Sequence, residues 1–234
     1  MAVKLGVPSK GRLQELTFDW FRTRGLDLRR SGSVREYAGA VDGFEGVELV
    51  LLSAGEIPRE LVSGRIDLGV TGTDLVHERI PLWDQQMELL ARLGFGHADL
   101  LLAVPKVWID VDTLDDLDAA AAQFRARHGF RLRIATKYHT MVREFLRLNG
   151  VADYQLVDSQ GATEGTVKNL TAEAIADISS TGDTLEANHL KPLADGLIHQ
   201  SQAALFRARV APAGTADQNI LATLLARIGV HQSE

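Results

Sequence analysis

Short apolar runs of strand length alternate along this chain with amphipathic stretches of helical length. The runs 3–7 and 47–52 are followed by helical patterns at 13–21 and 57–62, respectively. Further apolar runs of strand length occur at 67–70, 100–104, 132–136 and 174–179. This alternation is typical of an α/β fold, so we expect mixed, largely parallel sheets that are covered by helices.

The composition excludes several classes of function. With 234 residues and 45% hydrophobic content, the chain can bury a large core as one domain or as two lobes. The absence of cysteine excludes disulfides and thiolate metal sites, and the seven histidines are too scattered to form a zinc site. The formal net charge of -6 argues against a nucleic-acid-binding surface, but a few local cations would suffice for small phosphorylated ligands.

The N-terminal sequence, MAVKLGVPSKGR, contains neither an apolar segment of signal-peptide length nor a cleavage site of small residues. No window along the chain approaches the roughly 18 consecutive apolar residues of a membrane-spanning helix. We therefore expect a cytoplasmic protein without a membrane partner.

The segment 174–190 reads AIADISSTGDTLEANHL, in which a strand expected to end at Asp177 leads through small polar residues into a helix. Backbone N–H groups and the hydroxyls of Ser180, Thr181 and Thr184 can hold a phosphate in such a loop. Asp177 can accept hydrogen bonds from ribose hydroxyls or bind Mg²⁺. The pattern is similar to the phosphoribosyl pyrophosphate loop of phosphoribosyltransferases. An ordinary turn capped by Thr181 or Thr184 remains equally open.

A second candidate anion site lies at the first strand-to-helix junction, Pro8-Ser9-Lys10-Gly11-Arg12. Positive charge at a helix N-terminus is unfavourable by roughly 0.3–1 kcal/mol. The presence of Lys10 and Arg12 therefore indicates an anionic ligand, although exposed basic residues without a ligand also occur at such positions.

Two further segments place polar residues after a strand. In DLGVTGTD these are Thr71, Gly72 and Thr73, although a tight turn capped by Thr73 explains the segment equally well. In RIATKYH they are Lys137 and Tyr138, at the strand end where ligands bind in open α/β sheets.

Taken together, five motifs resemble the ATP phosphoribosyltransferase family and occur in that family's order over residues 3–190. They are PSKGRL, IPRELVSGRIDLGVTGTDLV, LGFG followed by LLLAVP, RIATKYH, and ADISSTGDTLEANHL. The resemblance implies two α/β lobes around a cleft, similar to type II periplasmic binding proteins. Lobe I would comprise residues 1–90 plus 185–234, and lobe II would comprise residues 91–184 with the phosphoribosyl pyrophosphate loop.

The resemblance also implies a reaction, in which N1 of ATP attacks phosphoribosyl pyrophosphate and releases diphosphate, the first step of histidine biosynthesis. Asp177 would bind the ribose hydroxyls, with Lys10 and Arg12 on the diphosphate or the ATP phosphates and Mg²⁺ as the metal cofactor. The implied substrate-binding residues are Ser179, Ser180, Thr181, Gly182, Asp183, Thr184, Thr71, Gly72, Thr73, Lys137, Tyr138, Glu164 and Glu173.

The length of the chain is typical of the family's short form, which lacks a C-terminal regulatory domain. That form implies a separate regulatory subunit related to histidyl-tRNA synthetase, and a homodimer within a hetero-oligomer.

The chain departs from the family pattern at two places. Ser53 stands where many members have an Arg, shortly before the acidic-Ile-Pro motif at Glu56, so a substrate contact from that Arg cannot be carried over. Before the phosphoribosyl loop, the usual Glu-Leu-Ala-Pro and Gly-Leu-Ala-Asp stretches are replaced by sequences that retain carboxylates at Glu164 and Glu173.

Two other functions are compatible with parts of the pattern. A non-catalytic cytoplasmic sensor of small ligands would share the bilobal fold but would not explain the phosphoribosyl-type loop. A phosphoribosyltransferase that uses another base would share the loop but would not explain PSKGRL and ATKY.

Overall fold

A computed structural model of the chain describes residues 2–30, 38–159, 162–209 and 215–230. The chain divides into two compact units: unit 1 comprises Met1–Gly96 and Gln202–Glu234, and unit 2 comprises His97–Ser201. Both units are α/β with mixed sheets, which confirms the predicted fold class.

The strands are β1 Val3–Pro8, β2 Asp27–Arg30, β3 Ala38–Asp42, β4 Val47–Leu52, β5 Leu68–Gly72, β6 Met87–Arg92, β7 Ala98–Pro105, β8 Leu132–Thr136, β9 Tyr154–Asp158, β10 Ala174–Ser179, β11 Leu190–Ser201 and β12 Ala203–Ala208. The helices are α1 Gly11–Arg22, α2 Ile57–Val62, α3 Thr73–Arg79, α4 Trp83–Gln86, α5 Leu114–His128, α6 His139–Leu148, α7 Gly165–Lys168, α8 Asp183–Ala187 and α9 Thr215–Arg227.

The sheet of unit 1 has seven strands in the order β2-β3-β4-β1-β5-β12-β6. Its central strand β1 runs parallel to both β4 and β5, with Leu5 opposite Leu49 on one side and Leu68 on the other. Helices cover both faces of these strands, which explains why β1 is buried at every position except Lys4 instead of alternating between buried and exposed residues. An added Cβ at Gly6 would lie 2.5 Å from Cδ1 of Ile66, so a larger residue there would require the Ile66 side chain to shift.

The sheet of unit 2 has five strands in the order β11-β7-β10-β8-β9. Strands β10, β8 and β9 are parallel, whereas β7 is antiparallel to both β10 and β11. One face buries Ala174 and Ala176 of β10 against α5 and α6, and the other buries Ile175 near Leu185 of α8. Because side chains alternate along a strand, Asp177 lies on the face of Ile175 and α8.

Local sequence signals fix the ends of the two longer helices of unit 2. Thr113 and Asp116 form a capping box at the start of α5, and the hydrogen bond from the Thr113 hydroxyl lowers the pKa of Asp116. Helix α6 ends in a Schellman motif, in which the Val151 N–H donates to the Leu146 carbonyl at 3.0 Å and Gly150 adopts φ 76°.

The unit boundaries differ from the expected lobes 1–90 plus 185–234 and 91–184. The chain passes into unit 2 after Gly96 and returns after Ser201. The reason is strand pairing, since β6 pairs with β12 in unit 1 and the long strand β11 pairs with β7 in unit 2. Within the described ranges, no helix is both long enough and apolar enough to cross a membrane.

Candidate active site

In unit 1, three strand ends lie at one edge of the sheet. Strands β1, β4 and β5 are parallel, so the residues that follow them meet at the carboxyl edge. The Ser9 N–H donates to the Leu52 carbonyl at 2.7 Å, and the Thr71 hydroxyl donates to the Ala54 carbonyl at 2.8 Å. These bonds hold the three connections together.

Lys10 and Arg12 lie at this edge, on either side of the first residue of α1. Both side chains are exposed, and neither forms an ion pair with any described residue. Lys10 occupies the N-cap position, with no side-chain hydrogen bond to the helix. Gly11 has φ 75°, a conformation that strains any residue with a Cβ. This junction therefore presents two unneutralised cations beside open helix N–H groups.

A third cation at the junction, Arg30, was not identified from the sequence. Its guanidinium donates to the Ser9 carbonyl and, at 3.2 Å, to the Gln14 side chain. The contact joins β2 to the start of α1 across 21 residues, which no local motif indicates.

The serine that replaces the family's Arg has a structural role here. Ser53 follows β4, and both its hydroxyl and its backbone N–H donate to one carboxylate oxygen of Glu56, at 2.7 and 3.0 Å. These bonds lower the pKa of Glu56, with the side-chain bond as the largest cause. The short side chain thus closes the turn before α2.

Thr71, Gly72 and Thr73 lie at the predicted edge but are buried. The Thr71 side chain is 0% exposed and its hydroxyl is already bonded to Ala54, while Thr73 is 2% exposed and exchanges bonds with the backbone of Gln202. The side chains of Thr71 and Thr73 thus hold loops in this structure, and their contact with a ligand stays a prediction.

In unit 2, the ends of β8, β9 and β10 form a second carboxyl edge. Lys137 and Tyr138 follow β8 as predicted, with Lys137 exposed and Tyr138 half-buried. The Tyr138 N–H donates to the buried hydroxyl of Thr136 at 2.9 Å, which turns the chain into α6. The next residue, His139, pairs with Asp158 at the end of β9, with 3.0 Å between Nε2 and Oδ1. The sequence motif contains His139, but its partner lies 19 residues away.

The predicted phosphoribosyl loop follows β10 at the same edge. The strand continues to Ser179, which pairs with Asp99 of β7, so the expected end at Asp177 was wrong by two residues. Asp177 is half-buried within the strand, and its Oδ1 accepts the Ile178 N–H at 2.9 Å. No side chain of the described residues binds this carboxylate.

The loop itself is closed by its own polar groups. The Gly182 N–H donates to the Ser179 hydroxyl at 3.0 Å, and the Thr181 hydroxyl donates to the Asp183 carboxylate at 2.8 Å. Gly182 has φ 81°, and an ideal Cβ there would have no atom within 4 Å. Ser180, Thr181, Asp183 and Thr184 are exposed, so most of the predicted donors face solvent.

Threonine capping does not account for these segments. The N-cap residues of α3 and α8 are Gly72 and Gly182, and neither helix has a side-chain capping bond. The contact that most resembles a capping bond runs from the Asp183 N–H to the Thr181 hydroxyl oxygen. Its length of 3.5 Å exceeds that of a good hydrogen bond.

The two glutamates occupy different places. Glu164 is half-buried at the start of α7, in the connection that follows the carboxyl end of β9. Glu173 precedes β10 and therefore lies at the amino edge, opposite the loop. Its carboxylate forms a two-point ion pair with Arg133 at 2.6 and 3.1 Å and also accepts the Arg133 N–H at 2.8 Å. These bonds raise the pKa of Arg133. Glu173 thus has a structural role in this structure, and its role as a substrate-binding residue stays a prediction.

Comparison with known proteins identifies the family. The family model "HisG: ATP phosphoribosyltransferase" matches residues 53–229. The chain is 70% identical over 230 residues to the ATP phosphoribosyltransferase of Cereibacter sphaeroides, covering 98% of this chain and 97% of that protein. It is 52% identical to the enzyme of the same name from Chelativorans sp., over 89% of this chain and 91% of that protein. This chain belongs to the ATP phosphoribosyltransferase family.

Solved structures support the fold. The chain is similar, with a TM-score of 0.72 and 20% identity, to a chain of the "ATP phosphoribosyl transferase (HisG:HisZ) complex from Thermotoga maritima", covering 97% and 96% of the two chains. The arginine-bound ArgBP of T. maritima has a TM-score of 0.51 at 12% identity, covering 97% of this chain and 95% of that one. The fold is thus shared with binding proteins, and family membership favours the enzyme over the sensor.

Removing the carboxylate of Glu173 tests whether this residue has a structural role or a binding role. In Glu173→Ala, Arg133 loses its ion pair while it remains 28% exposed, so we expect a loss of about 1–3 kcal/mol in the free energy of unfolding. Denaturant unfolding measures this loss, with the exposed Glu144→Ala as a control expected to change by less than about 0.5 kcal/mol. KM for phosphoribosyl pyrophosphate should not change in the folded fraction of Glu173→Ala. A large increase in KM would indicate that Glu173 binds the substrate.

The turn at Ser53 can be tested through the pKa of Glu56. Because the native-state pKa is lowered, the hydrogen bonds stabilise the fold above the ordinary pKa of Glu, and this contribution is lost as the pH falls through the native pKa. Ser53→Ala should raise the native pKa of Glu56 toward its ordinary value, as followed by NMR titration of its carboxyl carbon. The control is Ser63→Ala, because the Ser63 hydroxyl donates to the Glu60 backbone carbonyl and not to Glu56. This variant should leave the pKa of Glu56 unchanged. An unchanged pKa in both variants would contradict the assigned bond.

Proposed function

We propose that this chain transfers the 5-phosphoribosyl group from phosphoribosyl pyrophosphate to N1 of ATP and releases diphosphate, as the first step of histidine biosynthesis in the cytoplasm. The observation that carries the proposal is the 70% identity, over nearly the full length of both chains, to an ATP phosphoribosyltransferase. The phosphoribosyl-type loop after β10 and the cationic junction after β1 agree with substrates that carry several phosphates.

The chemistry requires little from protein bases. The adenine N1 already has a lone pair, so neither deprotonation of the nucleophile nor a covalent intermediate is needed. The bond from C1 of the ribose to N1 forms as the bond to diphosphate breaks, through a transition state with oxocarbenium character. Catalysis then depends on alignment of the two substrates and on stabilisation of the departing negative charge.

In unit 2 we assign the 5-phosphate to the loop Ser179–Thr184 and the ribose hydroxyls to Asp177. The loop offers exposed hydroxyls and backbone N–H groups at the start of a helix, which are suitable donors for a phosphate. The Gly182 N–H is already bonded to Ser179, so it contributes by shaping the loop. Asp177 keeps one carboxylate oxygen available for a ribose hydroxyl, because only Oδ1 accepts a bond from the described residues.

In unit 1 we assign the diphosphate or the ATP phosphates to Lys10 and Arg12, whose charges no described acidic residue neutralises. Within unit 1, the backbone at Gly72 is also assigned to substrate binding. Within unit 2, Lys137, Tyr138 and Glu164 are assigned to substrate binding. Arg30 joins this set because it binds the same junction.

Mg²⁺ is the expected metal cofactor, and the donor at Asp177 fits it, since Mg²⁺ binds carboxylate oxygens together with substrate phosphates. When bound, the ion would neutralise charge on the diphosphate. Asp177 is the residue of this chain that we assign to it, beside its role toward the ribose.

We further propose that the chain is a short-form subunit that acts with a regulatory protein related to histidyl-tRNA synthetase, as a homodimer within a hetero-oligomer. Two observations support this. The aligned region takes in 97% of the C. sphaeroides relative, and the structural neighbour from T. maritima is described as a HisG:HisZ complex.

The experiment that tests the function is the absorbance change of phosphoribosyl-ATP formation with ATP, phosphoribosyl pyrophosphate and Mg²⁺, with pyrophosphatase added to remove diphosphate. Product that depends on both substrates establishes the activity. Addition of the synthetase-like partner tests the subunit assignment, which predicts a change in rate or in inhibition by histidine. Absence of product with the partner present, together with no binding of phosphoribosyl pyrophosphate, would contradict the proposal.

Asp177→Asn should lower kcat/KM by about 100-fold or more, because an amide is a poorer acceptor for ribose hydroxyls and a poor Mg²⁺ ligand. The residue is half-buried at the sheet edge, so its unfolding free energy should change by less than about 1 kcal/mol. Steady-state kinetics and denaturant unfolding measure both quantities. Kinetics equal to those of the wild type would remove Asp177 from the site.

Gly182→Val should weaken binding of phosphoribosyl pyrophosphate, because a β-branched residue cannot adopt φ 81° without strain. Gly182→Asn is the matched variant, since Asn tolerates this conformation and the surrounding space is open. Calorimetry should give a larger loss of affinity for Val than for Asn. Affinity equal to the wild type in the Val variant would reject the loop as the phosphate site.

A further inference from the structure

A cavity of about 600 Å³ lies in unit 2 at the amino edge of its sheet, opposite the phosphoribosyl loop. Arg131 before β8, Arg143 and Arg147 of α6, and Tyr154 and Gln155 of β9 line it. Because β9 is the last strand in the order of the sheet, the cavity lies beside an edge strand. Its volume lies within the range of small-molecule sites.

The charges around this cavity are unbalanced. Arg143 and Arg147 form no ion pair with any described residue, although Glu144 lies one helical turn before Arg147. Like charges at i and i+4 destabilise a helix by about 0.2–0.5 kcal/mol, so Arg143 and Arg147 together weaken α6. Stabilisation of the helix therefore does not explain why both arginines are present. The position of Arg147 in the last turn offsets part of this cost through the helix dipole, but Arg143 has no such compensation.

Two further acids near the cavity, Asp153 and Asp118, are already engaged. Asp153 binds Arg125 and approaches Arg131 at 4.0 Å, and Asp118 accepts the Ala152 N–H at 2.9 Å. Neither acid lines the cavity. In a chain with a net charge of -6, three arginines that line one cavity, of which only Arg131 has a described acidic partner, therefore form a local positive site.

Core packing fixes the backbone that carries Arg143 and Arg147. The buried residues Val142 and Leu146 fix α6 on the sheet, and the Schellman motif at Gly150 sets the turn into β9. The ring of Tyr154 packs against the same core cluster and closes the inner wall of the cavity.

We propose that this cavity is a second anion site, which binds a phosphate-bearing small molecule. Three guanidinium forks, two from α6 and one from the segment before β8, can donate to the oxygens of a tetrahedral phosphate, whereas a planar carboxylate is satisfied by one or two forks. The free anion and a phosphomonoester share this chemistry, and the two are distinguished by titrating each in turn.

The test uses the Nε–Hε NMR signals of the arginine side chains in the full chain, titrated with inorganic phosphate and separately with ribose 5-phosphate. Sodium chloride at matched ionic strength is the salt control. We expect saturable shifts of the Arg131, Arg143 and Arg147 signals with a dissociation constant below about 10 mM. Tighter binding of inorganic phosphate would identify the free anion, and tighter binding of the ester a phosphorylated metabolite.

The variant Arg143→Gln with Arg147→Gln should weaken the affinity reported by Arg131 by about tenfold or more. A control with the same change in charge is Arg22→Gln with Arg127→Gln, two exposed arginines that do not line this cavity, and it should bind as the wild type does. Repeating the titration in Gly182→Val separates this site from occupancy of the phosphoribosyl loop. Shifts that never saturate, that chloride reproduces, or that both double variants retain would overturn the proposal.

Discussion

Parallel strand pairing is the constraint on which the candidate site depends. In unit 1 the pairing of β1 with β4 and β5 brings three connections to one edge, and in unit 2 the pairing of β8 with β9 and β10 does the same. Residues that are far apart in sequence become neighbours because hydrogen bonds fix the direction and register of each strand. The bond from Ser9 to Leu52 and the pair of His139 with Asp158 are direct consequences.

The part of the fold that the sequence predicted is the part with strong local signals. Strands β1, β4 and β8 are largely buried, and each is mainly apolar apart from one charged residue (Lys4, Glu48 and Arg133, respectively), so hydrophobicity indicated their positions. Strand β11 was not predicted, because its sequence LKPLADGLIHQS contains Pro192 and Gly196, which interrupt a strand pattern. It forms at the edge of the sheet with irregular register between Pro192 and Leu197, where such residues are tolerated.

The candidate site shows the same division. Motif residues that follow strands, such as Lys10, Lys137 and the loop after β10, lie at the predicted sheet edges. The roles of Glu173, Thr71 and Ser53 were not predictable, because each depends on a partner or on burial that tertiary packing creates. Glu173 binds a residue 40 positions away, and the full burial of Thr71 depends on the strands and loops around it. Local sequence therefore indicates which groups could bind a ligand, but packing decides which of them remain available.

The ion pair between Arg133 and Glu173 ties β8 to β10 at the edge of the sheet away from the loop that follows β10. The groups that hold these strands together and the groups assigned to the substrate thus occupy opposite ends of the same strands. Because of this separation, the protein can be engineered for heat resistance without changes at the residues assigned to the substrate. Replacements near the ion pair can be selected for tighter packing.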